Sequence, residues 1–397
     1  MLNASQKAIV SATVPLLETG GEALTTHFYR IMLAEYPEVR PLFNQAHQAS
    51  GEQPRALANG VLMYARNIDR LEALGPLAAQ IVNKHVALQV QPEHYPIVGA
   101  CLLRAIREVL GAAVATDEVI AAWGAAYGQL ADILIGAEKQ AYDRLAHMPG
   151  GWRGARSFEV ERKEAESEEI VSFYLAPTDR QPVPDFEPGQ YIGLRLQVEG
   201  QEIRRNYSLS AAPDGRSYRI SVKREPGGLA SNHLHTQVHV GSRLELFPPA
   251  GTFTLAAGER PVVLISGGVG ITPTLAMLDK ALASSRAVHF IHCARSRGAH
   301  AFRQKIDALA KRHPQLQRFY CYEEAPAGAD AADAPDAVGR LDASTLGSWL
   351  PAPAAQVEAY FLGPKPFMKH VRSALRGLGM PEAQLHWEFF GPASALD

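Results

Sequence analysis

Along the first 148 positions, apolar residues recur every three to four residues. Leu57, Val61, Tyr64 and Ile68 form one such stripe, and Leu77, Ile81, His85 and Leu88 form a second. Trp123, Tyr127, Leu130, Leu134 and Glu138 form a third. This is the period of amphipathic helices. Pro76 and Pro92 fall where a first turn tolerates a missing N–H. Ser50, with Gln53 three residues on, makes a candidate capping box. The pattern predicts an all-α domain over residues 1–148, with about six to eight helices.

Met148-Pro149-Gly150-Gly151 interrupts this pattern, and after Trp152 the period becomes two. Strand-like runs cover Phe158 and Val160, then Ile170, Phe173 and Leu175. Others follow at Tyr191–Val198, Arg204–Leu209, Tyr218–Lys223 and Arg243–Phe247. Short strands with turn residues between them predict an antiparallel β-barrel over 152–257. From Gly258 strands alternate with helices: Val262–Ile265, a helix from Pro273, His289–Cys293, a helix near Ala301–Lys311, Phe319–Tyr322 and Tyr360–Leu362. Alternation of this kind predicts a doubly wound parallel α/β sheet over 258–397. Ala325–Pro335 reads as an exposed loop. The predicted class is therefore multidomain: all-α, then antiparallel barrel, then α/β.

Composition narrows the function. With 47% hydrophobic and 20% charged residues the chain is ordinary globular material. A net charge of −2 argues against a nucleic-acid groove. Cys101, Cys293 and Cys321 are odd in number, widely spaced and without a CxxC, which fits a reducing compartment and no cysteine-based zinc site. The N-terminus lacks an apolar signal region, and no run approaches a bilayer-spanning apolar length. We expect a cytoplasmic protein with no nucleic-acid partner, no integral membrane association and no obligatory protein partner.

Two glycine-rich turns carry candidate chemistry. Ser266-Gly267-Gly268-Val269-Gly270-Ile271-Thr272-Pro273 joins a strand to a helix, with Thr272 as a candidate cap and Pro273 in the first turn. Exposed N–H groups and the helix dipole there suit a diphosphate; a plain tight turn is the alternative. Gly227-Gly228-Leu229-Ala230-Ser231-Asn232 reads as a second phosphate cradle. Between them in kind, Arg205-Asn206-Tyr207-Ser208 offers a guanidinium for phosphate, a flat aromatic face and a small hydroxyl. His233, His235 and His239 read as barrel or loop residues, and no metal is assigned to them.

Taken in order, and with a terminal Phe389-Phe390-Gly391-Pro392, these segments resemble the ferredoxin–NADP reductase family. The resemblance implies FAD held by Arg205, Tyr207, Ser208, Gly228 and Ser231, with Gly189-Gln190-Tyr191 as a further contact. It implies NAD(P)H on Gly268, Val269, Gly270, Ile271, Thr272 and Pro273, and Phe389 and Phe390 beside the flavin. The family often carries Cys-Gly-Pro near the nicotinamide; this chain has Leu362-Gly363-Pro364. Arg295-Ser296-Arg297 either meets a 2′-phosphate or is a set of solvated loop charges, so NADH and NADPH both remain open.

The helical half extends the resemblance. Lys84-His85 with Tyr95 ten residues on, Tyr29, Phe43-Asn44, the Gln53/Leu57 pair, Trp123-Gly124 and Ala126-Tyr127-Gly128 resemble the flavohaemoglobin family. That resemblance implies haem b with His85 as the proximal iron ligand. Tyr95 and Glu138 become a proximal pair that raises imidazole donor strength. Tyr29, assisted by Gln53, donates to bound O2, and Leu57 restricts access. Lys84 and Glu388 lie near the haem–flavin approach. The implied activity is an NAD(P)H-dependent nitric oxide dioxygenase, converting NO and O2 to nitrate, with electrons passing from NAD(P)H to FAD to haem iron. A reductase of hydroperoxides or quinones, a redox sensor and an O2 store are the alternatives. A lipid or other hydrophobic ligand in the haem pocket also stays open.

Overall fold

The computed structural model describes residues 2–44, 48, 51–324, 334–351 and 353–391. Ser50, Pro392 and most of the Ala325–Pro335 segment lie outside the described residues. The helical part consists of α1 (Ala4–Ala12), α2 (Val14–Glu35), α3 (Glu52–Arg66), α4 (Gly75–Leu88), α5 (His94–Leu110) and α6 (Asp117–His147). Its core gathers Val10, Phe28, Met32, Ala105 and Ala126.

Local chemistry explains where these helices start and stop. α6 begins at Thr116, whose hydroxyl accepts from Val119 N at 3.3 Å. Asp117 and Glu118 sit in its first turn and Arg144 and His147 in its last, each complementing the dipole. α3 starts from Gly51, at φ +71°, with no side-chain cap. α4 has Pro76 in its first turn and ends at Gln89, which adopts a left-handed φ of +59° while its amide donates to Val86 O at 2.8 Å. Pro92 lies in the turn ahead of α5 rather than inside that helix. α6 is long and apolar enough to cross a membrane by length and composition. Gln129 and Asp132 interrupt it, so its apolar residues form no unbroken run of bilayer-spanning length. Its Ala- and Gly-rich apolar face is spent on packing against α1, α4 and α5.

The second part is a sheet of β1 (Arg156–Ala165), β2 (Ile170–Pro177), β3 (Tyr191–Val198), β4 (Gln201–Ser208), β5 (Tyr218–Lys223) and β6 (Arg243–Leu246). The strand order is β4-β3-β6-β1-β2-β5, and every pairing is antiparallel. A bridge between Leu209 and Ile220 draws its two edges together, as the barrel expectation requires. α7 (Leu229–Thr236) packs against β3 and β5.

The third part has β7 (Val262–Gly267), α8 (Ile271–Leu282), β8 (Val288–Ala294), α9 (Arg303–Arg312), β9 (Leu316–Tyr322), β10 (Ala337–Val338), α10 (Ala343–Ser348), β11 (Glu358–Leu362), α11 (Lys365–Gly377) and β12 (Leu385–Trp387). The sheet runs β10-β9-β8-β7-β11-β12 and is parallel throughout. Every residue of β7 is buried, as a strand covered on both faces must be. The order reverses at β7, so the crevice beyond its carboxyl end is where such sheets bind ligands.

Helix α4 is pressed against the barrel. A Cβ on Gly193 of β3 would lie 2.3 Å from the Ala87 carbonyl oxygen, so only glycine permits this approach. The Arg204 guanidinium of β4 donates to Leu88 O at 2.6 Å and lies over the Phe247 ring. Gly251 N donates to Asn83 Oδ1 at 3.3 Å. Ala87, Tyr191 and Ala250 bury one another between these contacts. Substituting Gly193 with Ala should push α4 from the barrel. Amide hydrogen exchange across α4 should then quicken, and the melting temperature should fall by several degrees. Unchanged exchange and melting in Gly193→Ala would refute this role for the contact.

Candidate functional site

On α4 and its neighbours, three polar side chains converge in an otherwise apolar layer. His85 Nδ1 lies 2.7 Å from Glu138 Oε1 and 3.2 Å from the Tyr95 hydroxyl. The Tyr95 hydroxyl donates to the same Glu138 oxygen at 2.6 Å. Glu138 is 2% exposed, while the His85 side chain is 32% exposed. A carboxylate can only accept, so Nδ1 carries the proton. That fixes the tautomer and leaves Nε2 with a free lone pair, which suits it to bind a metal. Burial, then the hydrogen bond to Glu138, pushes the Tyr95 phenol far above its usual range, so it stays a donor. Tyr127 donates to Tyr95 O at 2.6 Å and Tyr142 to Val90 O at 2.7 Å, bracing the α5 side of the group.

Elsewhere in the helical part, Tyr29 lies on α2, and Gln53 and Leu57 lie on α3. Tyr29 is 7% exposed and edge-packed against Phe28 and Phe43. Burial raises its phenol strongly, and a side-chain hydrogen bond with Gln53 acts the other way. The phenol is therefore a neutral donor held by two rings and an amide. Leu57 is half-buried against the same core.

The barrel brings together the residues singled out for a flavin. Tyr191 and Ser208 are paired across β3 and β4, as are Leu194 and Arg205. Arg205 donates to Arg204 O at 2.7 Å and, among the described residues, has no carboxylate partner. Burial pulls its guanidinium below its ordinary value. A desolvated guanidinium without an acid is suited to a phosphate. Burial also raises the phenols of Tyr207 and Tyr191, the latter with Glu388 adding to the effect. Ser231 Oγ is engaged with Glu225 N at 3.1 Å and Gly228 O at 3.3 Å, so it fixes its own turn. These residues fit a flavin dinucleotide.

Glu388 links the parts. Burial pushes its carboxyl up to about 7, and Lys84 opposes that shift. Burial in turn lowers the Lys84 ammonium, which donates to Gly391 O at 2.5 Å. Phe389 is half-buried against the α/β core under Lys365, while Phe390 is 48% exposed. The described C-terminus thus places only part of the expected aromatic pair against packed structure.

The nucleotide turn forms as expected, with one difference. Gly268 has φ +54°, and a Cβ on Gly270 would meet Leu362 O at 2.4 Å. α8 starts at Ile271 from Gly270 without a side-chain cap, and Thr272 instead donates to Val269 O at 3.0 Å. The helix starts one residue before Thr272, which puts the hydroxyl out of capping position and Pro273 third in the first turn. Ser266 is held by His292 Nδ1 at 2.8 Å, and burial pushes that imidazole down to about 3. Arg295 pairs with Glu169 of the β1–β2 turn at 2.5 Å. His235 bonds Val222 O, and no metal-holding cluster of three His, Cys, Asp or Glu residues occurs among the described residues.

Two residues escaped the sequence reading. Arg204 grips α4; strand alternation, which sends neighbouring Arg204 and Arg205 to opposite faces, was a readable signal. Lys163 donates to the carbonyls of Leu234, His235 and Val238 at 3.3, 2.8 and 2.7 Å, capping the end of α7. Its acceptors are backbone atoms, which no side-chain pattern announces.

Comparison with known proteins agrees with this geometry. Residues 26–134 match the globin family model, 157–255 the oxidoreductase FAD-binding domain and 264–373 the oxidoreductase NAD-binding domain. The fold and site therefore define an oxidoreductase built from a haem-binding globin and a flavin- and NAD-binding reductase. A flavohemoprotein of Pseudomonas putida is 68% identical over the full length of both chains. The crystal structure of the flavohemoglobin from Malassezia yamatoensis, with FAD and heme bound, superposes with a TM-score of 0.85 at 29% identity, covering 98% of this chain and all of that one. The FAD/NAD-binding part of a nitric oxide dioxygenase from Vibrio cholerae matches 60% of this chain and all of its own, with TM-score 0.56 and 38% identity. The chain belongs to the flavohemoprotein family.

Two measurements check the site. The fraction of protonated Glu388, read from the carboxylic C=O infrared band, should fall as pH rises through about 7. The band should vanish in Glu388→Gln. In Lys84→Met the midpoint should move to higher pH, because the ammonium favours the carboxylate; a midpoint that fails to move would sink the pairing. Lys163→Met should weaken FAD binding several-fold in a fluorescence titration by loosening α7, and an unaltered affinity would argue against that role.

Proposed function

We propose that this flavohemoprotein is an NAD(P)H-dependent nitric oxide dioxygenase, converting NO and O2 to nitrate in the cytoplasm. Haem supplies an iron that binds O2 and changes oxidation state, and FAD splits the two-electron hydride of NAD(P)H into single electrons. Each NO consumed with O2 needs one electron to end as nitrate, so each hydride serves two NO molecules. The observation that carries the reading is the Glu138 carboxylate, buried at 2% exposure, which accepts from both His85 and Tyr95. A store of O2 has no need of it. A proximal imidazole made strongly donating by an anion favours O–O chemistry over reversible binding.

In this reading His85 would hold the haem iron through Nε2. Tyr29 would offer its proton to bound O2, with Gln53 orienting the phenol and Leu57 narrowing the entrance. Arg205 and the Gly228–Ser231 turn hold the FAD phosphates, while Tyr191, Tyr207 and Ser208 frame its ring. Gly268–Pro273 receives NAD(P)H. Glu388 and Lys84 hold a proton and a positive charge at the flavin side of α4. Removing the water-facing alternatives for these charges makes each interaction count for more than it would in solvent.

Purified, haem- and FAD-replete protein should form nitrate from NO only when O2 and NAD(P)H are both present. Reductase activity without nitrate would transfer the assignment to another acceptor. Tyr95→Phe and Glu138→Gln should each lower turnover by about tenfold or more, the loss expected for a hydrogen bond to a charged group, while O2 affinity changes less. Tyr29→Phe should do the reverse, speeding O2 release. Unchanged turnover in both proximal variants would refute the proximal role.

A further inference from the structure

Two of the three cysteines, far apart in sequence, are direct neighbours in space. Cys293 of β8 and Cys321 of β9 are register partners in a parallel ladder, so both side chains leave the same face. Neighbouring strands lie about 4.8 Å apart, inside the roughly 4.4–6.8 Å Cα separation that a disulfide spans. The Cys321 thiol donates to Gly339 O at 3.3 Å. Cys293 is half-buried and Cys321, beside it on the same face, is buried. Cys101 is also buried, but in the helical part with no cysteine beside it.

Their position matters as much as their proximity. Cys293 is also the register partner of Gly267, the last residue of β7 before the nucleotide turn. Gly267 is close-packed against Phe367, which a Cβ there would meet at 3.1 Å, and against Gly363 of the Leu362-Gly363-Pro364 segment. A covalent link between β8 and β9 at this level acts on the carboxyl edge of the sheet, one strand from the turn.

We propose that Cys293 and Cys321 form a hydroperoxide-reactive dithiol that closes to an intramolecular disulfide and thereby lowers the affinity of the adjoining turn for NAD(P)H. Cys293 beside it draws the Cys321 thiol below its usual range, while that same pairing and burial hold the Cys293 thiol well above its own, so the first thiolate forms on Cys321. The Cys321 sulfur takes one oxygen as the O–O bond breaks, releasing one water and leaving a sulfenic acid. The Cys293 sulfur then displaces that hydroxyl as a second water, and the S–S bond forms. The peroxide gains two electrons, the dithiol loses two, and both thiol protons leave in water.

The test uses the haem- and FAD-loaded protein, exposed to stoichiometric hydrogen peroxide and then to catalase. Denatured thiol counts should fall from three to one, and peptide mapping should find a Cys293–Cys321 link that dithiothreitol reverses. The KM for NADH in ferricyanide reduction, which bypasses the haem, should rise several-fold with the link and return on reduction. Cys321→Ser should abolish both effects, and Cys101→Ser neither. A thiol count that stays at three, oxidation of Cys321 or Cys293 without a linked peptide, or a link that leaves KM unchanged would each overturn the proposal.

Discussion

The structure turns on how one short helix is held. α4 presents His85 to the inside of the globin, Lys84 to the C-terminal segment, and the carbonyls of Ala87 and Leu88 to the barrel. Three sets of contacts, made by three domains, converge on adjacent residues. Because helix geometry is rigid at this scale, with about 1.5 Å between successive residues, the position of the barrel and that of the imidazole cannot be set independently. Gly193 and Arg204 fix the one, and Glu138 and Tyr95 fix the other. Close approach of backbone to backbone, available only at a glycine, is what allows the domains to share a helix rather than a linker.

Three buried polar groups share one feature: each keeps charge or hydrogen-bonding capacity that the described residues leave unused. Arg205 has no acid among the described residues, Glu388 has only the distant help of Lys84, and His85 spends one nitrogen on Glu138 and keeps the other. Such arrangements cost stability in the empty protein, since a desolvated charge is expensive. They fit a protein that binds haem and flavin, since a bound group that meets such unused capacity returns that free energy as binding.

Much of this was legible in the sequence, for identifiable reasons. The change from helical period to alternation, and then to alternating strands and helices, followed burial directly, so the three-part architecture could be read. The turns at Gly228 and Gly268 were readable because glycine and local order carry the signal. The three-way bond of His85, Tyr95 and Glu138 was accessible only through family resemblance: Glu138 alone reads as a solvated carboxylate on a late helix turn. Features that depend on backbone acceptors or register had no sequence signature. Lys163 meets carbonyls, Thr272 lost its capping role to a one-residue shift in helix start, and the neighbouring of Cys293 and Cys321 exists only once the strand order is known.

The bond from Lys84 to Gly391 has a topological meaning. Without it, the α/β domain is joined to the barrel alone, through contacts such as that of Arg295 with Glu169. With it, the α/β domain also touches the globin, and the three parts close into a ring. In a ring the joints no longer move one at a time. A rotation of the α/β domain about the barrel must be taken up either at the junction of the barrel with α4 or by release of the Gly391 carbonyl. The few residues after β12 therefore act as a tether, and the orientation of the nucleotide domain and the setting of the haem-side helix become a single mechanical variable.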